Sequence, residues 1–162
     1  MTGSHRRIKL VHFTSEDYRK LEQAIETLRE RVSSIKRSIG ESCQQGADTF
    51  HDNFDFEEAQ RQLPLWEGRL RHLIRVRNAT IIIEPDSSDK RAGIGKVVRI
   101  YDELIQEEIS FQVGSFLVLE NSEYVISLQS PLARAVRHAK KGDVRVCEVN
   151  GIQRVLRILE VS

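Results

Sequence analysis

An α+β fold is predicted for this 162-residue chain: an N-terminal antiparallel α-helical coiled-coil hairpin, then a C-terminal antiparallel β domain with one short helix. Three observations predict it. Apolar residues recur in steps of three and four from Tyr18 to Ile39, and the same spacing returns from Phe56 to Leu73. After Ala79 that period gives way to short alternating runs that end around an Asn-Gly pair.

The first stripe is Tyr18, Leu21, Ile25, Leu28, Val32, Ile35 and Ile39. Steps alternating between three and four keep one seam facing a partner helix. Thr14 or Ser15 supplies a hydroxyl cap, and the acids of "SEDYRKLE" fall in the first turn, where the helix dipole favours them. A helix of about 30 residues would reach about 45 Å, too long for a small core to cover, so much of it should project. The second stripe is Phe56, Ala59, Leu63, Trp66, Leu70 and Leu73, with the charged Arg77 as a fraying last member. Pro64 inside it should remove one backbone hydrogen bond and bend the helix. Two such helices joined by one polar segment make a hairpin, with residues 1–79 as the arm and its acidic tip near 46–58.

Residues 80–162 form the second domain. "TIII" (Thr80 to Ile83) reads as a short buried strand, "IGKVVRIYD" as an alternating strand ending in acids, and "EISFQVGSFLVLENSEYVISLQS" as two or three more. "SPLARAVRHAKKGD" reads as a short helix with Pro131 near its start and Gly142 as its stop. "VRVCEVNGIQRVLRILEV" places two β runs around Asn150-Gly151, a favoured hairpin turn.

Composition narrows the function. A formal charge of +1 argues against a surface built throughout for nucleic acid and leaves room for local patches only. No apolar run approaches the ~18 residues of a membrane span, and the charged N-terminus lacks the apolar core of a secretory signal, so a cytoplasmic, non-membrane protein is expected. Cys43 and Cys147 sit far apart without a CxxC pairing and are expected to be reduced thiols.

The segment "GADTFHDNFDFEEAQ" is the anomaly. Between Ser38 and Gln60 there is no Lys or Arg, yet Glu41, Asp48, Asp52, Asp55, Glu57 and Glu58 are all acidic. Asp52 or Asn53 can cap the second helix, with Asp55, Glu57 and Glu58 in its first turns. Asp48 and the aromatics Phe50 and Phe54 are not explained that way. Carboxylates on a stiff arm suit delivery to a Mg²⁺ already held elsewhere, since that ion borrows only one or two carboxylates and keeps waters. No histidine or third fixed ligand completes a metal site here; His51 is the only histidine nearby and reads as a solvated loop residue. Arg69, Arg71, Arg75 and Arg77 read as solvated or as paired with Glu22, Glu26 and Glu30.

At this point the chain resembles the Gre transcript-cleavage factors of bacterial RNA polymerase. "HDNFDFEEA" follows the family's tip from Asp52 onward, and "WEGRL" (Trp66 to Leu70) is similar to its "I-E-G-R-I". "ISLQSPLARAVRHAKKGD" (Ile126 to Asp143) is similar to "ISxxSPxARALxGKxxGD", and "FTSEDYRKLEQAIETL" to the family's opening, with Asp17 in place of a glycine. The likeness is colinear over nearly the whole chain. It implies an arm that enters the polymerase secondary channel and an FKBP-like second domain, not an isomerase, that grips the channel rim. The family's two tip acids fall on Asp48 and Asp52 if the turn carries extra residues, supported by Asn53, Asp55 and Phe56. They would help hold a second Mg²⁺ belonging to the polymerase, which then hydrolyses RNA near the 3′ end of a backtracked transcript. The chain itself would be no enzyme, would hold no cofactor alone, and would act as a monomer. Ser130, Pro131 and Arg134 are the implied partner contacts. A same-fold regulator that does not cleave, and a coiled-coil adaptor, are the competing readings.

Overall fold

The computed structural model describes residues 10–44, 52–119 and 124–162, with the side chains of 42–44 and 52–55 outside that description. By its internal contacts the chain divides into a helical unit, Arg19–Ala79, and a second unit in which the described residues up to Tyr18 join Thr80–Ser162.

The helical unit is built from two long helices, α1 (Ser15–Gln44) and α2 (Asp52–Asn78). Thr14 caps α1: its hydroxyl accepts the amide of Asp17 at 3.2 Å, and Glu16 and Asp17 lie in the first turn. Leu21, Ile25, Leu28 and Val32 of the stripe read from spacing are buried on α1; on α2 Leu73 is buried together with Val76, which takes the inward place that spacing gave to Arg77. Contacts between the helices join Arg31 to Trp66 and Lys36 to Glu67. Arg31 and Trp66 lie 13 residues before the end of α1 and 14 after the start of α2, so the two helices pair side by side as a hairpin requires. α2 continues through Pro64. Proline has no N–H, so the carbonyl of Gln60 lacks its helical donor, while tertiary packing keeps the helix going on both sides. Of the two readings of the α2 arginines the solvated one fits: Arg69, Arg71 and Arg75 are exposed, Arg71 pairs along its own helix with Glu67 and Arg77 bonds Asn78, while Glu26 pairs with Arg29. Residues three or four apart on one helix are already neighbours, so these pairs need no cross-helix reach.

A strand precedes α1 that helical periodicity did not indicate. β1 (Val11–Phe13) pairs in parallel with β2 (Thr80–Ile82), Phe13 opposite Ile82. Phe13 is fully buried and Val11 nearly so, whereas Ile81 and Ile82 are 40% and 49% exposed. "TIII" is thus a strand but not a buried one: in a two-stranded ribbon only one strand's face is covered.

The main sheet has the order β5-β4-β3-β7-β6, from β3 (Val97–Asp102), β4 (Glu107–Val113), β5 (Val125–Ile126), β6 (Val144–Val149) and β7 (Ile152–Val161). Its long pairings are antiparallel; β4–β5 is parallel, so the sheet is mixed. The β6–β7 turn is made by Asn150 (φ 54°) and Gly151 (φ 78°), both left-handed, as a two-residue turn matched to strand twist requires. The pairing of β3 with β7 slips between Arg99 and Ile100. Helix α3 (Pro131–Val136) lays Ala133 and Val136 into a core with Val98, Ile100, Phe111, Val113, Leu156 and Ile158.

α3 ends sooner than Gly142. Arg137 turns extended (ψ 130°) and His138 takes φ 60°. The amide of His138 then donates to the carbonyl of Ala92 at 2.8 Å, and the amide of Ala92 to the carbonyl of Ala139 at 2.8 Å. Two exchanged backbone bonds outweigh another helical turn here. Histidine is among the non-glycine residues that visit this region more readily.

Two buried polar groups escaped the sequence reading. Asp102 continues the inward face of Val98 and Ile100 and is fully buried, its Oδ2 2.6 Å from Arg154 Nη2 in an ion pair that lacks hydrogen-bond angles. Ser115, also fully buried, accepts the Thr14 amide and donates to the Asp17 carboxylate at 2.5 Å. Asp17, where the family pattern has glycine, therefore has a defined partner. Cys147 is a free, buried thiol whose pKa is pushed up mainly by burial. The side chain of Cys43 lies outside the described residues.

Candidate functional site

The candidate site is the turn between α1 and α2. α1 ends at Gln44 with no basic residue in its last turn, and α2 opens at Asp52. At 1.5 Å per residue, helices of 30 and 27 residues are each about 40 Å or more in length. Asp48, with Phe50 and His51, lies outside the described residues. Asp52 is the first residue of α2, with Asn53 and Asp55 in its first turn; the side chains of these three are likewise outside the description. Phe56 is half-buried at the first position of the returning stripe.

Backbone placement still has consequences. A helix N-terminus carries unpaired N–H groups and a partial positive charge, so Asp52 and Asp55 sit where the backbone stabilises carboxylates. Glu58 is used locally: it accepts from Gln62 at 2.8 Å and pairs with Arg61 at 2.9 Å. Among the described residues no group of three or more His, Cys, Asp or Glu could hold a metal ion.

The rod is braced by polar contacts on its surface. Lys36 Nζ lies 2.7 Å from Glu67 Oε1, and Arg31 stacks 4.1 Å from the centre of the Trp66 ring. The Glu67 carboxyl is held below its ordinary value first by the hydrogen bond from Lys36, then by the charge of Lys36 and that of Arg71. Indole Nε1 of Trp66 donates to Gln62 at 3.4 Å.

In the sheet unit, Ser130 sits at the N-cap of α3 with extended backbone, its hydroxyl accepting the Ala133 amide at 3.1 Å; Pro131 fills the first helical turn. Both residues have a local reason to be where they are. Arg134 is exposed on the outer side of the same helix.

The chain matches the family model described as transcription elongation factor, N-terminal, over residues 11–81, and that described as transcription elongation factor GreA/GreB, C-terminal, over residues 87–162. It is 32% identical to the transcription elongation factor GreA of Thermoanaerobacter pseudethanolicus, covering 94% of this chain and 98% of the relative. It is 30% identical to GreA of Acetivibrio thermocellus over 94% and 96% of the two chains. Among solved structures it is similar to GreA factor homolog 1 (Gfh1) of Thermus thermophilus, at 26% identity and a TM-score of 0.44 over 94% of this chain and 99% of that one. Two colinear family matches and relatives of full length leave one assignment: the chain belongs to the GreA/GreB family of transcription elongation factors.

Proposed function

We propose that this chain binds RNA polymerase, inserts its helical arm into the secondary channel and stimulates the enzyme's own cleavage of backtracked RNA. The observation that supports this most is the arm itself: two long helices joined in sequence through a stretch, Ser38 to Gln60, with six acids and no Lys or Arg. Asp48 and Asp52 are the acids assigned to the task, with Asn53, Asp55 and Phe56 shaping the turn. The Mg²⁺ concerned belongs to the polymerase; in a two-ion site it supplies Lewis acidity and an activated water. This chain contributes carboxylate oxygens and a rod stiff enough to carry them, with Asp52 at a helix start whose dipole favours negative charge. Catalysis stays with the polymerase. Ser130, Pro131 and Arg134 are proposed contacts of the sheet unit with the polymerase surface.

A non-cleaving regulator of polymerase is the second reading. It draws on the length of the turn from Gly46 to Phe56 and on Asp52 being shorter than glutamate by one methylene. Stalled, backtracked complexes separate the two. The expected result is 3′-proximal cleavage that falls about tenfold or more with Asp52→Ala or Asp48→Ala, as when a divalent ion gives up a charged ligand, while polymerase binding is retained. Wild-type binding without cleavage would establish the regulator instead. An adaptor would show no polymerase binding at all.

A further inference from the structure

Two cavities of the sheet unit meet at one lysine. The larger, about 480 Å³, is lined by Lys90, Lys96, Lys140, Lys141 and the end of β7. The smaller, about 230 Å³, has Ile83, Glu84, Ile94 and Leu128 in its wall, and Asp89 and Lys96 belong to both. Lys96 is buried to 9% exposure, while the other three lysines are exposed. Among the described residues none of the four makes an ion pair or a side-chain hydrogen bond. The acids of the larger cavity are engaged elsewhere. Asp89 is gripped by Arg91 through Nε at 2.9 Å and Nη2 at 3.0 Å, and its carboxyl is lowered first by that contact and last by the charge of Lys96. Glu160 is bound by Arg99 at 2.9 Å.

A buried charge is normally paired, because leaving water is costly. Lys96 is a buried ammonium that faces two cavities and has no such partner, so it is a binding group for an anion. Three more ammoniums around the larger cavity call for several negative charges close together. Lysine is a point charge suited to phosphate oxygens; a planar carboxylate is matched better by the fork of arginine, which this cavity lacks. A nucleic-acid duplex is too wide to enter and reach Lys96, whereas a short phosphate chain is not. The smaller cavity offers different chemistry. Half-buried Ile83 and Ile94 and buried Leu128 give it an apolar wall, and Glu84 is an acceptor with no partner among the described residues. Asp86 is already taken, by the hydroxyl of Ser88 at 2.7 Å and its amide at 2.8 Å. An aliphatic wall beside one free carboxylate suits a flat base and a sugar hydroxyl. The two cavities together reach the usual size of small-molecule sites, about 300–1,000 Å³. We infer that the sheet unit binds a nucleoside triphosphate, its phosphates on the lysines around Lys96 and its nucleoside in the smaller cavity.

Calorimetric titration of the full chain with ATP, GTP and inorganic tripolyphosphate tests both halves of the site. The better nucleotide should bind once per chain, about tenfold or more tighter than tripolyphosphate, since only it fills the smaller cavity. Lys96→Met keeps the length of the side chain and removes its charge, and should weaken nucleotide binding by about tenfold or more. Lys140→Gln with Lys141→Gln should cost a similar factor and reduce the salt dependence. Arg69→Gln with Arg71→Gln removes equal charge from the helical unit and should leave affinity within about twofold. Tripolyphosphate binding as tightly as either nucleotide would overturn the proposal, because the nucleoside would then have no place. Equal losses in the lysine and arginine pairs would overturn it as unlocalised attraction. So would release of bound nucleotide by duplex DNA at equal phosphate concentration, or no binding up to about 1 mM, where affinity is already negligible for a built site. Circular dichroism reports the fold of each variant; if Lys96→Met unfolds, the pair Lys140→Gln and Lys141→Gln decides, and an unchanged affinity there rejects the site.

Discussion

The two units bury apolar surface in different ways. In the sheet unit Val98, Ile100, Val113, Leu156 and Ile158 are sealed to 1% exposure or less, because strands cover them on both sides and α3 caps the face. In the arm the seam is graded. Leu21 and Ile25 are as well sealed, Leu28 and Val32 slightly less, and Ile35 and Ile39 only half-buried; α2 mirrors this from half-buried Leu63 and Leu70 to buried Leu73 and Val76. A pair of helices gives each seam residue one neighbour rather than a surround, so burial, worth about 25 cal/mol per Å², thins toward the turn. The arm trades a closed core for reach, and its stability should fall along its length in a way the sheet's does not.

The largest test of that contrast is a matched pair of truncations. Leu156→Ala removes a fully buried side chain from the middle of the sheet and should cost about 2–5 kcal/mol. Ile39→Ala, at a half-buried seam position, should cost less than about 1.5 kcal/mol. Trp66 is the only tryptophan, so its fluorescence in urea follows the arm, while amide exchange in β7 follows the sheet. Equal costs at the two sites would break the comparison.

One substitution at two glycines sharpens it further. Gly95 has φ +80°, and a Cβ there would stand 2.3 Å from Cγ of Pro85, so Gly95→Ala should destabilise the sheet unit by about 1–3 kcal/mol. Gly68 lies inside α2 with nothing within 4 Å of the same atom. There Gly68→Ala should stabilise the arm by about 0.5–1 kcal/mol through helix propensity alone. Opposite signs, read as shifts in the two probes, are the expected result. A loss at Gly68 would show that the family's "EGR" position is held for a reason other than backbone.

These contrasts also mark what could be read from the residues. Spacing located α1 and α2 because an amphipathic seam must repeat with the helix, and Asn150-Gly151 located the last hairpin because few residues tolerate two left-handed positions. β1 was missed because three residues carry too little period to separate from a helix approach. The end of α3 was misplaced because the exchange of hydrogen bonds between Ala92 and residues 138–139 joins segments far apart in sequence. Asp102 read only as an acid at a strand's end, and Arg154, more than fifty residues on, makes its burial tolerable. Of the candidate site, the helix ends around Asp52 were legible from capping chemistry. The pairing of Asp48 with Asp52 rests on the family pattern and lies outside the described residues.

The smallest effect separates the units by acid. Glu67 has its carboxyl lowered from an ordinary value of 4.5 by Lys36, so folding favours its ionised form. Its contribution should be complete above about pH 4.5, the unfolded value, and should disappear as pH falls through the depressed folded value. The pair is solvated, with Lys36 56% exposed, so the effect is small and weakens with salt. Glu67→Gln cannot ionise and should lower the arm's melting temperature at pH 7 while matching wild type at pH 2. The difference read by Trp66 should therefore close on acidification, and the exchange rates of β7 should not register the substitution at either pH. If the difference persists at pH 2, the brace acts through packing on Trp66 and Arg31 rather than through charge. If β7 responds as well, the two units do not unfold separately, and the graded stability argued for the arm cannot be its own.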